Sequence, residues 1–247
     1  MPSILDTWPT VSECDFNLHK SNSTYFTDLD IARSHLCGIL FSQLFFGSTP
    51  LGRCNLVVGS VNCVFRKEIK PYQPCEVWTK VASWDEKWIY MVSHFVPQGA
   101  FRPQDYMSKS SPGLPPLPGS HLESKKELGN AVLASAITRM VFKKGRLTVS
   151  PANSLQACGL LPGRTQKSDR LITPENANAE TTSPNPPIGI QTQPSKISDD
   201  DKDLTLKEVD IRREAALPIT RLQNGWDAVH DLFQAEPCIL GRHKDFF

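Results

Sequence analysis

A chain of 247 residues, 39% hydrophobic with 12 Phe and 5 Trp, is long enough for one domain with a full core, or for one domain with tails. Its 27 basic and 26 acidic residues leave a formal net charge of +1. That balance supplies no basic face or stripe, so no nucleic-acid partner is expected.

In chain order, Ser23 to about Phe46 is predicted as one helix. Tyr25, Leu29, Ala32, Leu36 and Ile39/Leu40 recur at spacings of three and four and build one apolar face. Ser21, Asn22 and Ser23 are all suitable N-caps, Asp28 and Asp30 lie early where the helix dipole favours acids, and Gly47 and Pro50 end it. Strands follow. "NLVVGSVNCVFRKEI" alternates at Val61, Cys63 and Phe65, and "CEVWTKVASW" and "KWIYMVSHFV" read as a hairpin closed at Asp85-Glu86. "NAVLASAITRMVFKKGRLTV" predicts a long strand, a turn at Lys143-Lys144-Gly145 and a short return strand. One helix followed by an antiparallel meander indicates an α+β fold.

Residues 1–163 are thus expected to form the main domain, interrupted by a mobile, Pro-rich insert at 103–130. Residues 164–203 carry few large apolar groups and are expected to be a disordered linker. Residues 204–247 are expected to form a C-terminal helical segment, with Pro218 as a break or kink and Trp226, Val229, Leu232 and Phe233 on its apolar face.

The seven cysteines are odd in number and none has C-x-x-C spacing. This argues against a disulfide framework or a metal site and for reduced thiols in an intracellular, cytoplasmic protein. No basic region followed by an apolar stretch opens the chain, so no signal peptide is expected, and no run approaches the roughly 20 apolar residues of a membrane span.

The informative stretch is "ECDFNLHKSNSTYF", Glu13–Phe26, which sets Asp15, Asn17, His19, Asn22 and Tyr25 where a strand gives way to the long helix. The first turn of a helix carries N–H groups without intrahelical acceptors and a positive dipole end. Such a terminus can polarise a carbonyl, and a carboxylate just upstream can attack that carbonyl or activate water against it.

The spacing of these residues resembles the D-x-N-x-H-x-N-N-x-x-Y motif of hot-dog-fold thioesterases, with Arg33 matching a basic residue eight positions after the Tyr. The stretch through Leu36 is most similar to thioesterase-like proteins of fungal secondary-metabolite clusters, which are related to animal thioesterase-superfamily proteins. The resemblance spans about Thr7–Pro151, with a weaker likeness in the C-terminal helix. It implies a hot-dog fold, an antiparallel sheet wrapped around one long helix, and a homodimer with sites between subunits. It implies an acyl thioesterase acting on an acyl-CoA or on an acyl group carried by a carrier protein or synthase. Coenzyme A or phosphopantetheine would enter only as part of the substrate, with no other cofactor.

Residue by residue, Asp15 matches the catalytic carboxylate and His19 a residue that shapes the turn and in some branches takes part in catalysis. Asn17, Asn22, Ser23 and Tyr25 match substrate-side positions, the N–H groups of Asn22 and Ser23 facing the thioester carbonyl. Ser21 departs from the motif by replacing the first Asn of the pair, which removes a side-chain amide but keeps a helix cap.

Plainer roles stand beside these. Asp15 can bond the backbone of a turn, His19 can order the loop, Tyr25 opens the apolar face and so suits the core, Arg33 can pair with Asp30, and His94 can serve as strand packing. No G-x-S-x-G occurs, which excludes the serine-hydrolase type of thioesterase. A hot-dog dehydratase is disfavoured because its His has a Gly soon after, which "HKSNSTY" lacks. The competing class is a non-catalytic hot-dog module that binds acyl groups or assembles partners.

Overall fold

The structure, a computed structural model, describes residues 1–47, 49–101, 103, 105–106, 130–161, 205–233 and 238–243. Most of the 103–130 insert and all of the 164–203 linker lie outside the described residues.

The elements in chain order are β1 (Ser3–Thr7), a 3-10 turn (Val11–Glu13), α1 (Asn22–Phe45), β2 (Asn55–Phe65), β3 (Cys75–Trp84), β4 (Ile89–Pro97) and β5 (Asp105–Tyr106). They continue with β6 (Ala134–Lys144), β7 (Leu147–Val149), α2 (Pro151–Ala157), α3 (Leu206–Thr220), α4 (Gly225–His230), β8 (Cys238–Ile239) and β9 (Gly241–Arg242). The main sheet runs β2-β6-β4-β3-β1-β9 with β7 on β6, and every pair is antiparallel except β1 with β9. The predicted helix, the hairpin and the Lys143–Gly145 turn all form.

One face of the sheet wraps α1, and this is the α+β hot-dog arrangement. Tyr25, Leu29 and Ala32 pack on Val77, Phe95, Ala134 and Ala136, while Leu36, Phe41 and Leu44 pack on Ile89, Met91, Met140 and Phe142. Alternation along the strands sends Ile89, Met91 and Phe95 inward and Tyr90, Val92 and Val96 to the opposite face. Buried polar groups run between the two apolar clusters: Thr79 and Ser93 bond each other at 2.8 Å, and Arg33 donates to Thr138 at 3.2 Å.

β4 is buried along both faces because the C-terminal segment covers the outer one. Val229 and Phe233 are buried there, and Leu217, Ile219, Leu222 and Trp226 pack around Tyr90, Val92 and Ile137. Polar clips hold the cover in place: Ser83 donates to the Arg213 carbonyl at 2.7 Å, and Arg221 pairs with Asp85 at 2.8 Å.

The segment after residue 204 is therefore not helical throughout. It returns to the sheet as β9, where Arg242 reaches Asp6 at 2.6 Å and Glu76 at 3.0 Å. The expected break at Pro218 falls after Thr220 instead. Pro218 sits in the last turn, and the chain leaves the helix at Leu222, in the left-handed region at φ 60°. Asp28 and Asp30 do not answer the helix dipole as expected. The helix starts at Asn22, so both lie beyond its first turn and neither is placed to answer the dipole.

Candidate active site

The chain between β1 and α1 folds on itself before it enters the helix. Cys14 and Lys20 form an antiparallel bridge, the Asp15 N–H donates to the His19 carbonyl at 2.9 Å, and the Leu18 N–H donates to the Asp15 carbonyl at 3.0 Å. Leu18 adopts φ 57°, a conformation a branched side chain seldom takes, and its side chain stands in solvent.

Asp15 organises this turn. Its Oδ1 accepts from the backbone N–H of Asn17 at 2.9 Å and of His19 at 3.3 Å. Oδ2 makes no hydrogen bond among the described residues. The two readings of Asp15 are therefore compatible in one carboxylate, with one oxygen tied to the turn and the other open.

The turn is stitched to the helix. The Ser21 N–H donates to the Glu13 carbonyl at 2.8 Å, and the Thr24 hydroxyl reaches the Glu13 and Ser21 carbonyls at 3.2 and 2.8 Å. Ser21 is the N-cap, but its hydroxyl contacts Ser23 Oγ at 3.0 Å instead of a helix N–H. Asn22 and Ser23 are the first two helical residues, both exposed, and their N–H groups have no acceptor among the described residues. This end of α1 can receive a carbonyl oxygen or an oxyanion.

The remaining predicted residues divide. Asn17 is exposed on the same turn as Asp15. His19 places Nε2 3.0 Å from Glu68 Oε2, a half-exposed pair that orients the imidazole and adds little stability. Tyr25 does not share this surface. It is 2% exposed, and its ring meets Phe65 and Phe95 edge-on at 4.8 and 4.9 Å. Burial pushes its hydroxyl far above the ordinary phenol range, so its position is that of a core residue. Arg33 pairs with Asp30.

Lys20, which sequence reasoning passed over, also lies here, together with Asp28, which it had read only as a dipole partner. Lys20 and Asp28 form a buried ion pair at 3.0 Å beneath the turn. The available signal was a lysine immediately before a helix cap with an acid eight residues on.

His94 lies on the far face of the sheet. Its Nδ1 is 2.9 Å from Ser135 Oγ, which is 2.6 Å from His230 Nδ1. Because a hydroxyl donates only once, at least one of the two rings must donate its Nδ1–H to Ser135 Oγ. Burial, then Lys80 and His230, push His94 down to about 3. Burial, then Arg66, lower His230 against the pull of Asp227 and Asp231.

Both histidines bind protons more weakly folded than unfolded. The unfolded chain therefore takes up more protons once pH falls below the ordinary value of 6.5. Stability is complete above that value and is lost as pH falls, at up to about 1.4 kcal/mol per pH unit for each ring. Urea unfolding at pH 7, 6 and 5 should show the decline, and His94→Gln should make it shallower. A flat profile over that range would refute the assignment.

Residues 9–145 match the family model described as the thioesterase-like superfamily. The chain belongs to the thioesterase-like superfamily. It is 42% identical over 168 residues to the probable thioesterase atnL of Emericella nidulans, covering 62% of this chain and 52% of that one. To thioesterase poxG of Penicillium oxalicum it is 34% identical over 248 residues, covering 93% of this chain and 69% of that one. The chain thus spans about half the length of atnL. The probable thioesterase YbaW from Escherichia coli aligns with a TM-score of 0.44 and 12% identity, covering 64% of this chain and 96% of that one. In this thioesterase-like chain the family match takes in the whole Asp15 turn and α1, whereas the C-terminal cover of the sheet lies beyond it.

Proposed function

We propose that this chain is an acyl thioesterase that releases an acid from an acyl-CoA or acyl-carrier thioester. The observation that carries the reading is the Asp15 carboxylate, held by two backbone N–H groups through Oδ1 and open at Oδ2, on a turn joined directly to the exposed start of α1. The thioester carbonyl would sit against the Asn22 and Ser23 N–H groups, where negative charge growing on its oxygen is stabilised. Asp15 would then attack the carbonyl carbon, or take a proton from a water that does. Collapse of the tetrahedral adduct expels the thiolate, a good leaving group that needs no acid beside it. With water as nucleophile this gives the acid directly. With Asp15 as nucleophile it leaves an acyl–Asp15 anhydride that water then hydrolyses to the acid and the free carboxylate. Asn17 and His19 would shape the rim of this site.

We further propose an acyl group of polyketide or lipopeptide type, on the resemblance of Glu13–Leu36 to the fungal proteins of secondary metabolism. The test is thiol release from a panel of acyl-CoA and acyl-carrier thioesters by the purified chain, with mass spectrometry of the acid. Release from at least one is expected. Binding without release from any of them would favour the acyl-binding module instead.

We propose that the active form is a homodimer. β2 is an outer strand of 11 residues, and Val57, Val58 and Phe65 stand exposed along it. An edge of that length invites pairing with a second copy. A cleft of about 250 Å³ between Trp84, Asn153 and Val209 includes none of the Asp15 site. Light scattering should give twice the chain mass, and Val57→Lys should shift it toward one. A fully active monomer at high dilution would refute this reading.

A further inference from the structure

Lys20 is the residue between the Asp15–His19 turn and the helix cap. Its side chain is 1% exposed and its Nζ is 3.0 Å from Oδ2 of Asp28, which is 7% exposed. The pair joins three elements. The Lys20 N–H donates to the Ile69 carbonyl at 2.8 Å, Thr7 at the end of β1 donates to Asp28 Oδ1 at 3.4 Å, and the Lys20 ammonium lies 5.4 Å from the centre of the Tyr25 ring. Neither Lys20 Nζ nor Asp28 Oδ2 has a hydrogen bond of good geometry among the described residues. Burial pushes the Asp28 carboxyl upward while Lys20 opposes it.

Stability does not explain such a pair. Desolvating two charges costs as much as their attraction returns, and an apolar pair of similar size commonly does as well or better. Direction is what an ion pair adds, because few placements of the turn on the helix satisfy both charges at once. The Ser21 N–H and Thr24 hydroxyl bonds to the Glu13 carbonyl tie the start of the turn to the helix, whereas at its far side the His19–Glu68 contact is half-exposed and Leu18 is in the left-handed region. Asp15 lies five residues before Lys20, and the Asn22 and Ser23 N–H groups lie two and three after it.

We propose that the buried Lys20–Asp28 pair is a positioning device that holds the Asp15 carboxylate in register with the first N–H groups of α1. Neither residue touches substrate. The inference rests on the thioesterase reading for its effect on turnover, and on geometry alone for its effect on the turn. A displacement of about 1 Å between reacting groups can cost about 10²-fold in rate.

The experiment uses Lys20→Met/Asp28→Leu in the full chain, which removes both charges without leaving either one buried alone. Turnover of an acyl-CoA that the wild type hydrolyses should fall about 10–10²-fold at little-changed KM, the scale of such a displacement. Amide hydrogen exchange over residues 13–24 should quicken while β4 and β6 stay as in the wild type. Lys20→Arg, which keeps the charge, should recover most of the turnover.

A folded double variant with wild-type turnover and wild-type exchange over 13–24 overturns the proposal. Should the double variant not fold, Lys20→Arg and Lys20→Met decide together on the same exchange readout. Wild-type protection over 13–24 in Lys20→Arg with faster exchange in Lys20→Met supports the pair as the holding contact, and wild-type protection in Lys20→Met overturns it. If the wild type releases no thiol from any thioester, the thioesterase reading falls, and the exchange over 13–24 still decides on the pair.

Discussion

Asp15→Asn is expected to remove most thioester hydrolysis, about 10²–10⁴-fold in kcat, the range for loss of a positioned base. Asn retains a carbonyl oxygen at the Oδ1 position, so both bonds from the Asn17 and His19 N–H groups can persist and the turn should keep its shape. What it lacks is a carboxylate oxygen at the Oδ2 position to attack carbon or take a proton. The thermal midpoint should therefore stay near that of the wild type while turnover collapses. Asp15→Ala should lose activity and also the turn bonds, at roughly 1 kcal/mol for a typical hydrogen bond. His19→Ala should cost less activity than Asp15→Asn, because the imidazole is engaged with Glu68. Wild-type kcat in a folded Asp15→Asn protein would end the mechanism proposed above and move the weight to an acyl-binding role.

Phe95→Ala should produce the largest loss of stability among simple core changes, about 3–5 kcal/mol. Phe95 is fully buried in β4, packs between the sheet and α1, and meets the Tyr25 ring at 4.9 Å. Truncation removes the transfer energy of the ring and leaves a cavity that β4 cannot close, since the strand is paired on both sides by β3 and β6. Against a net stability of about 5–15 kcal/mol, that is a large share. Tm should fall by about 2–4 °C for each kcal/mol. The first turn of α1 rests on this cluster through Tyr25, so hydrolysis should become more heat-sensitive as well. A urea midpoint within experimental error of wild type would show that Phe95 is not the keystone its burial implies.

α1 and the strands β2, β3, β4 and β6 were readable in advance because the signals for them are local. Tyr25, Leu29, Ala32 and Leu36 repeat at helical spacing, and residues in the strands alternate, whatever the rest of the chain does. The Asp15 turn was readable for the same reason, since its defining bonds span only two to four residues. β1 was harder to see because five residues are too few for a period to declare itself, and β9, at two residues, has no pattern at all.

Tertiary structure alone decided the rest. Asp28 looked like a dipole partner, but the packing of α1 on the sheet turns it inward, where it meets Lys20. Tyr25 fitted both a site motif and an apolar face, and the phenylalanines of β2 and β4 closing around it chose the core. His94 meets Ser135, 41 residues on, because β4 pairs with β6. Ser135 meets His230, a further 95 residues on, only because the C-terminal segment folds onto the outer face of the sheet. Periodicity tells which side of an element avoids water, but it carries no information about which distant segment will cover that side. That choice is made by long-range burial, summed over the whole chain.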